Sequence, residues 1–150
     1  MNKTNTFEQF QSNKYIGNDS SLRIEEHLVT EDCAPHGHNY FEIELILSGK
    51  GIYSVNGTDY NLDTYNVFLL TPADFHQIQA ESDIHLINLS FNEIFLNDRM
   101  IISLSTKKVT HAYSFNNKMH SQFHNALELL MEECRVNGRC IPLLAEYILE

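Results

Sequence analysis

Basic residues are scarce in this 150-residue chain: 10 Lys and Arg stand against 20 Asp and Glu, for a formal net charge of -10. Nucleic-acid affinity draws heavily on Lys and Arg meeting phosphates, so this stretch is not expected to bind DNA or RNA by itself. Lys107-Lys108 is the one adjacent basic pair, and a solvated strand end explains it. Cysteine is sparse too. Cys33, Cys134 and Cys140 are an odd number without CxxC spacing, which suggests neither a disulfide framework nor a zinc ribbon and fits reduced thiols. No run approaches the roughly 18 to 20 uninterrupted apolar residues that cross a bilayer. The stretch from Met1 to Lys14 is polar, without the apolar core of a signal peptide. A cytoplasmic location without a membrane partner is expected. There is no glycine-rich phosphate loop, no GxSxG elbow and no nucleophile flanked by an evident base. What remains is globular composition, 43% hydrophobic and 20% charged, in a chain long enough for one domain with its own core.

The most informative stretch present is His36-Gly37-His38-Asn39-Tyr40-Phe41-Glu42, followed after six residues by Gly49. Side chains two residues apart on a strand share a face. As one extended segment, it sends His36, His38, Glu42 and Glu44 one way and Phe41, Ile43, Leu45 and Leu47 the other. An antiparallel strand with one wet and one buried face alternates in this manner without any function. The other reading of the same alternation is an ionisable site on the polar face.

Residues 1–20 are polar with isolated aromatics and read as an N-terminal arm. Strand-like runs follow at Leu22 to Thr30, Phe41 to Ser48, Ile52 to Val55, Thr58 to Leu62, Val67 to Leu70, Gln77 to Ala80 and Ile84 to Phe91. Asn56-Gly57 between two of them predicts a tight hairpin. Asn92 to Asn97 predicts a helical turn, and Met100 to Tyr113 one or two further strands. Many short strands with turn signals between them predict a sandwich or barrel. After Ser114 the period changes: Met119, Phe123, Leu127, Leu130 and Cys134 recur at three or four residues, an amphipathic helix with Ser114 or Asn116 as N-cap. Pro142 opens a second helix with no stop signal before Glu150, which suggests one part of a longer polypeptide.

The spacing of His36, His38, Glu42 and Gly49 resembles the first motif of the cupin superfamily, although the family's leading glycine would fall at Thr30. Asn66 to His76 resembles the second motif, with three departures: Asn66 for glycine, Asp74 for the turn glycine, and His76 one residue early. A barrel followed at once by two helices is similar to the sensor and dimerisation half of AraC-family transcription regulators. Leu47-Ser48-Gly49-Lys50-Gly51, Val55-Asn56-Gly57, Phe68 to His76 and Leu86 to Phe91 read the same way.

The resemblance implies a mainly β fold, a cupin-like antiparallel jelly-roll barrel over residues 21–113, with two C-terminal helices in a dimerisation and linker segment, 114–150. It implies a small effector in the barrel, a sugar or another metabolite, a homodimer, and DNA contact only through a separate C-terminal domain. No cofactor and no catalysis are expected. The parity of the motif nominates His36, His38, Glu42 and Glu44 as ligand contacts, with His76 from a neighbouring strand and Tyr15 as a lid contact. Met119, Phe123, Leu127 and Leu130 are the dimerisation candidates, with packing against their own barrel as the alternative. The rival reading is a metal-dependent cupin enzyme, a dioxygenase or isomerase, in which His36, His38, Glu42 and His76 hold a divalent transition metal. His27, His85, His111, His120 and His124 are left without a role.

Overall fold

Short alternating runs bounded by turn residues build ten strands in the computed structural model, which describes residues 8–11, 16, 22–106 and 109–137. They are β1 (Glu8–Phe10), β2 (Leu22–Val29), β3 (Cys33–His38), β4 (Phe41–Ser48), β5 (Gly51–Val55), β6 (Thr58–Asn61), β7 (Asn66–Leu70), β8 (Phe75–Ala80), β9 (Ile84–Phe91) and β10 (Ala112–Ser114). A 3-10 turn (Glu93–Phe95) and the helices α1 (Asp98–Thr106) and α2 (Asn117–Asn137) complete the described elements.

The strands form two five-stranded sheets, ordered β1-β3-β8-β5-β6 and β10-β7-β4-β9-β2. Pairing is antiparallel except between β1 and β3, where Glu8–Phe10 adds a parallel edge strand opposite His36, Gly37 and His38. The expected mainly β, cupin-like jelly roll is the fold observed. The Asn56-Gly57 turn has positive φ at both residues, 50° and 81°, the two-residue geometry that suits the twist of a hairpin. Gly49 has φ 105° and lies so close to the next turn that a Cβ there would stand 2.5 Å from the Asp83 carbonyl oxygen. Only glycine accommodates both demands.

Three expectations need correction. His36 to Leu47 is not one strand: the chain bends at Asn39-Tyr40, so β3 joins the first sheet and β4 the second. Met100 to Tyr113 is not strand throughout. Asn97 caps α1 by accepting a hydrogen bond from the Met100 amide at 2.9 Å, Met100 turns into the core, and the helix gives way to β10 only afterwards. Local capping and one buried side per turn outweigh the β preference of Ile101-Ile102. Cys134 is disulfide-bonded, against the expectation of reduced thiols, because spacing does not say which sulfurs a fold brings within bonding reach. The second helix, expected from Pro142, lies outside the described residues.

Each face of β4 has its own destination. Phe41, Ile43, Leu45 and Leu47 join a core between the second sheet and α2 that includes Ile87, Leu89, Leu127 and Leu130. Ile46, on the opposite face, belongs to a core between the sheets with Tyr53, Val55, Phe68, Leu70 and Ile78. Asn116 caps α2, accepting from the Met119 amide at 2.9 Å. His120 then donates from Nε2 to the Ile46 carbonyl oxygen at 3.1 Å, beside the bulge in β4. Leu127 and Leu130 are fully buried, each stabilising the docked helix by about 1.5–3 kcal/mol. Phe123, Leu127 and Leu130 therefore pack against their own barrel. Met119 is 48% exposed, and Leu129 and Val136 are exposed at 64% and 65%. Among the described residues, no helix is long and apolar enough to cross a membrane.

Candidate functional site

The ionisable face of β4 turns inward, not to solvent. Glu42 and Glu44 are 4% and 6% exposed and line a cavity of about 270 Å³ between the sheets. β3 contributes Cys33 and His36, β8 contributes His76 and Ile78, β9 contributes Leu86 and Asn88, and β1 and β2 close one side with Phe10, His27 and Val29. Tyr40, at the bend between β3 and β4, completes the wall.

His38, Glu42 and His76 converge at the base, with one ligand atom of each lying within 4.8 Å of the others. Nε2 of His38 is 3.0 Å from Oε2 of Glu42, and Nε2 of His76 is 3.5 Å from the same oxygen. All three atoms are buried without completing a hydrogen bond. Their tautomers follow from their other contacts. A carbonyl oxygen only accepts, so His38 Nδ1, 2.6 Å from the Tyr40 carbonyl, carries its ring proton and a neutral ring turns the Nε2 lone pair inward. Tyr53 donates its hydroxyl proton to Glu44, so its oxygen accepts from His76 Nδ1 at 2.7 Å, and His76 Nε2 also presents a lone pair. Two lone pairs and a carboxylate oxygen repel unless a cation, or a proton on His38, sits among them.

That donor set fits a divalent transition metal. Atoms bound to one ion at about 2.0–2.1 Å stand about 3–3.5 Å apart, which is the spacing of each histidine nitrogen from the Glu42 oxygen, and both rings have their outer nitrogens fixed as metal-binding histidines require. His36, the fourth expected ligand, is not among the three whose ligand atoms converge, although its Nδ1 bonds the Ala34 carbonyl at 2.9 Å much as His38 bonds that of Tyr40. A register shift between Cys33 and His36 leaves its ring between Phe10 and His76. The early arrival of His76 does not exclude it. Asp74, in place of the turn glycine, accepts from the Thr71 amide at 2.7 Å and from Asn56 Nδ2 at 2.7 Å. This latch holds the turn that leads into β8, where His76 faces inward and Phe75 outward.

A second network supports Glu44. Its carboxylate accepts from Tyr53 and from Asn88 Nδ2 at 3.0 Å. Ser90 donates its single hydroxyl proton to Asn88 Oδ1 at 2.8 Å, with Glu42 Oε1 as the longer alternative acceptor at 3.3 Å. Burial and the negative charge of Glu42 push Glu44 up to about 7. Burial would also raise Glu42, but the His38 ring alongside and the His76 ring beyond outweigh it and hold the group at about 2. Burial drives His76 down to about 3, whereas in His38 the Glu42 carboxylate more than offsets burial and raises the pKa.

The cavity thus gathers four of the six nominated ligand residues, His36, Glu42, Glu44 and His76. His38 stands behind them in the metal-competent trio, and Tyr15 lies outside the described residues. Tyr53, Asn88 and Ser90 were not foreseen. Asn88 and Ser90 left a signal, two polar residues at alternate positions in the apolar run Ile84-Phe91. Of the unassigned histidines, His27 lines the cavity, His85 pairs with Glu26 at 2.9 Å on the outer surface, and His124 faces Glu128 at 3.4 Å. His111 bonds the Leu69 carbonyl at 3.0 Å.

An internal cavity between two sheets, apolar over most of its wall with a few convergent polar groups, has the character of a small-molecule site. The model of the AraC-like ligand binding domain family matches residues 20–139, and the chain belongs to that family. It is 32% identical over 56 residues to an uncharacterized HTH-type transcriptional regulator, YfiF, of Bacillus subtilis strain 168, a match covering 37% of this chain and 18% of that relative. The matched stretch is thus under a fifth of that relative's length. Among solved structures, it is similar to an RmlC-like cupin from Shewanella frigidimarina, with 16% identity, TM-score 0.45 and coverage of 47% of this chain and 66% of the other. A Thermotoga maritima protein described as a predicted oxalate decarboxylase matches with 22% identity, TM-score 0.44 and coverage of 48% and 68%.

Proposed function

We propose that this chain is the effector-sensing part of a transcription regulator, binding a small metabolite between its sheets and reporting occupancy through α2, without catalysis. The observation that carries this reading is the double role of β4. Glu42 and Glu44 on its inner face line the cavity, while Phe41, Ile43, Leu45 and Leu47 on its outer face share a core with Leu127 and Leu130 of α2, a helix that also packs against β2. A ligand that favours one seating of β4 shifts the helix only by its differential affinity for the two arrangements. DNA contact belongs to a segment outside these 150 residues, a reading that the net charge of -10 supports, and the protein shares a compartment with the DNA it governs. A homodimer forms through the exposed side of α2, where Met119, Leu129 and Val136 are the apolar residues, and not through Phe123, Leu127 and Leu130.

The test is a thermal-shift screen of small metabolites against the wild-type chain and Val29→Trp, which fills the cavity from β2. Compounds that stabilise the wild type and lose their effect in the variant support the reading. Compounds that act equally on both place the binding site elsewhere and sink it.

A second reading rests on the three unsatisfied atoms of His38, Glu42 and His76. A divalent metal bound there would act as a Lewis acid toward a ligand oxygen. The rest belongs to the chain: Tyr53 and the Tyr40 carbonyl hold the rings, and Asn88 and Ser90 hold the carboxylates.

A further inference from the structure

The charge of the cavity is one-sided. Glu42 and Glu44 lie at its base and Glu8 at its rim, and among the described residues no Lys or Arg lines it. Arg23, on the inward side of β2, is held by Glu25 at 2.6 Å, and the other oxygen of Glu25 faces His27 at 3.3 Å. The groups that support Glu44 are neutral donors, Tyr53 and Asn88. Two buried carboxylates two residues apart on one strand face are costly without a counter-charge. Even with a proton or a metal at the trio to serve Glu42, Glu44 has none. The walls suit a cation as well, since Phe10 and Tyr40 line the cavity beside the carboxylates and aromatic faces attract ammonium and guanidinium groups. An anion would meet three carboxylates and, among the described residues, no Lys or Arg, only the imidazoles of His27, His36 and His76.

We infer that the effector of this pocket is a small organic cation, an aliphatic ammonium or guanidinium compound whose charged end pairs with Glu44, and not a sugar or an organic acid. The inference rests on the effector-pocket reading and narrows it. A cavity of about 270 Å³ lies at the small end of ligand pockets, which limits the occupant to a compact metabolite. Glu44 separates the two classes of cation, because it lies outside the His38–Glu42–His76 trio that would hold a metal.

The experiment measures thermal unfolding of the wild-type chain, with a chelator present, in 1,4-diaminobutane, agmatine, 1,4-butanediol, succinate and a pentose at equal millimolar concentrations. The expected result is stabilisation by the diamine or agmatine and none by the diol, diacid or pentose. Glu44→Gln keeps the shape and an acceptor for Tyr53 and should weaken the cation about ten- to hundredfold, the loss of one charge-assisted pair. Stabilisation by the pentose, diol or diacid with both cations silent overturns the cation class while leaving the effector pocket standing. An undiminished cation effect in Glu44→Gln also overturns it. Silence of every probe counts against the cation and the pocket together. The comparison of probes uses the wild-type chain, so it holds even if the variant folds poorly.

Discussion

Removing one oxygen atom tests the internal network. Tyr53 is fully buried and stacked on Phe68 with ring centroids 4.0 Å apart, so Tyr53→Phe keeps the packing and deletes only the hydroxyl. That hydroxyl serves two buried partners, as donor to Glu44 and as acceptor for His76 Nδ1 at 2.7 Å. Each buried polar group left without its partner costs about 1–3 kcal/mol, so with two such groups the variant should lose about 2–6 kcal/mol. The assay is urea unfolding followed by circular dichroism, with the shift in midpoint read at an unchanged m-value. Glu44→Gln and the double variant complete a cycle. Because the two groups are in direct contact, their coupling should reach about 1 kcal/mol or more. A loss below about 0.5 kcal/mol in Tyr53→Phe, or additive single effects, would show that the hydroxyl is not holding this network and would refute the tautomer assignment of His76.

The pH profile follows from three shifted groups. Glu42, held at about 2 against an ordinary 4.5, contributes stability that is present above pH 4.5 and lost as the pH falls toward 2. His76, at about 3 against 6.5, contributes stability lost between pH 6.5 and 3, and Glu44, at about 7 against 4.5, contributes stability present below pH 4.5 and lost as the pH rises through 7. Urea unfolding across pH 3–8 should therefore give a plateau near pH 4.5–6.5, where His76 and Glu44 oppose each other, with a steep fall below it and a decline above. A steady rise from pH 5 to 8 would contradict the assignment. Zinc or manganese titration should find one site that His76→Ala or Glu42→Gln weakens at least about tenfold and His36→Ala leaves in place; equal loss in His36→Ala would restore the four-ligand reading. Leu130→Ala should lower stability by about 2–5 kcal/mol as a core truncation. Leu129→Ser should change monomer stability by less than about 0.5 kcal/mol yet shift light-scattering mass toward monomer, and an unchanged mass would remove Leu129 from the proposed dimer face.

Local pattern carried much of this. The Asn56-Gly57 hairpin, the cap at Asn116, the apolar stripe of α2 and the two-faced character of β4 each depend on residues within a few positions of one another, and each is seen where the pattern put it. Period two says which side chains share a face, but not whether that face meets water or the inside of a barrel. The bend at Asn39-Tyr40 decides that here, sending β3 and β4 into different sheets. His38 and Glu42 then meet at a corner, and His76 and Asn88 reach them from strands paired across long separations. The stripe of α2 was readable, but its partner was not: Leu127 and Leu130 found the outer face of the second sheet in their own chain. Charge, periodicity and turn chemistry were thus determined by the sequence alone, because they act between near neighbours. Only the tertiary structure decided that the motif's carboxylates are buried with no Lys or Arg beside them among the described residues, because which distant strands pair is settled by the packing of the whole barrel.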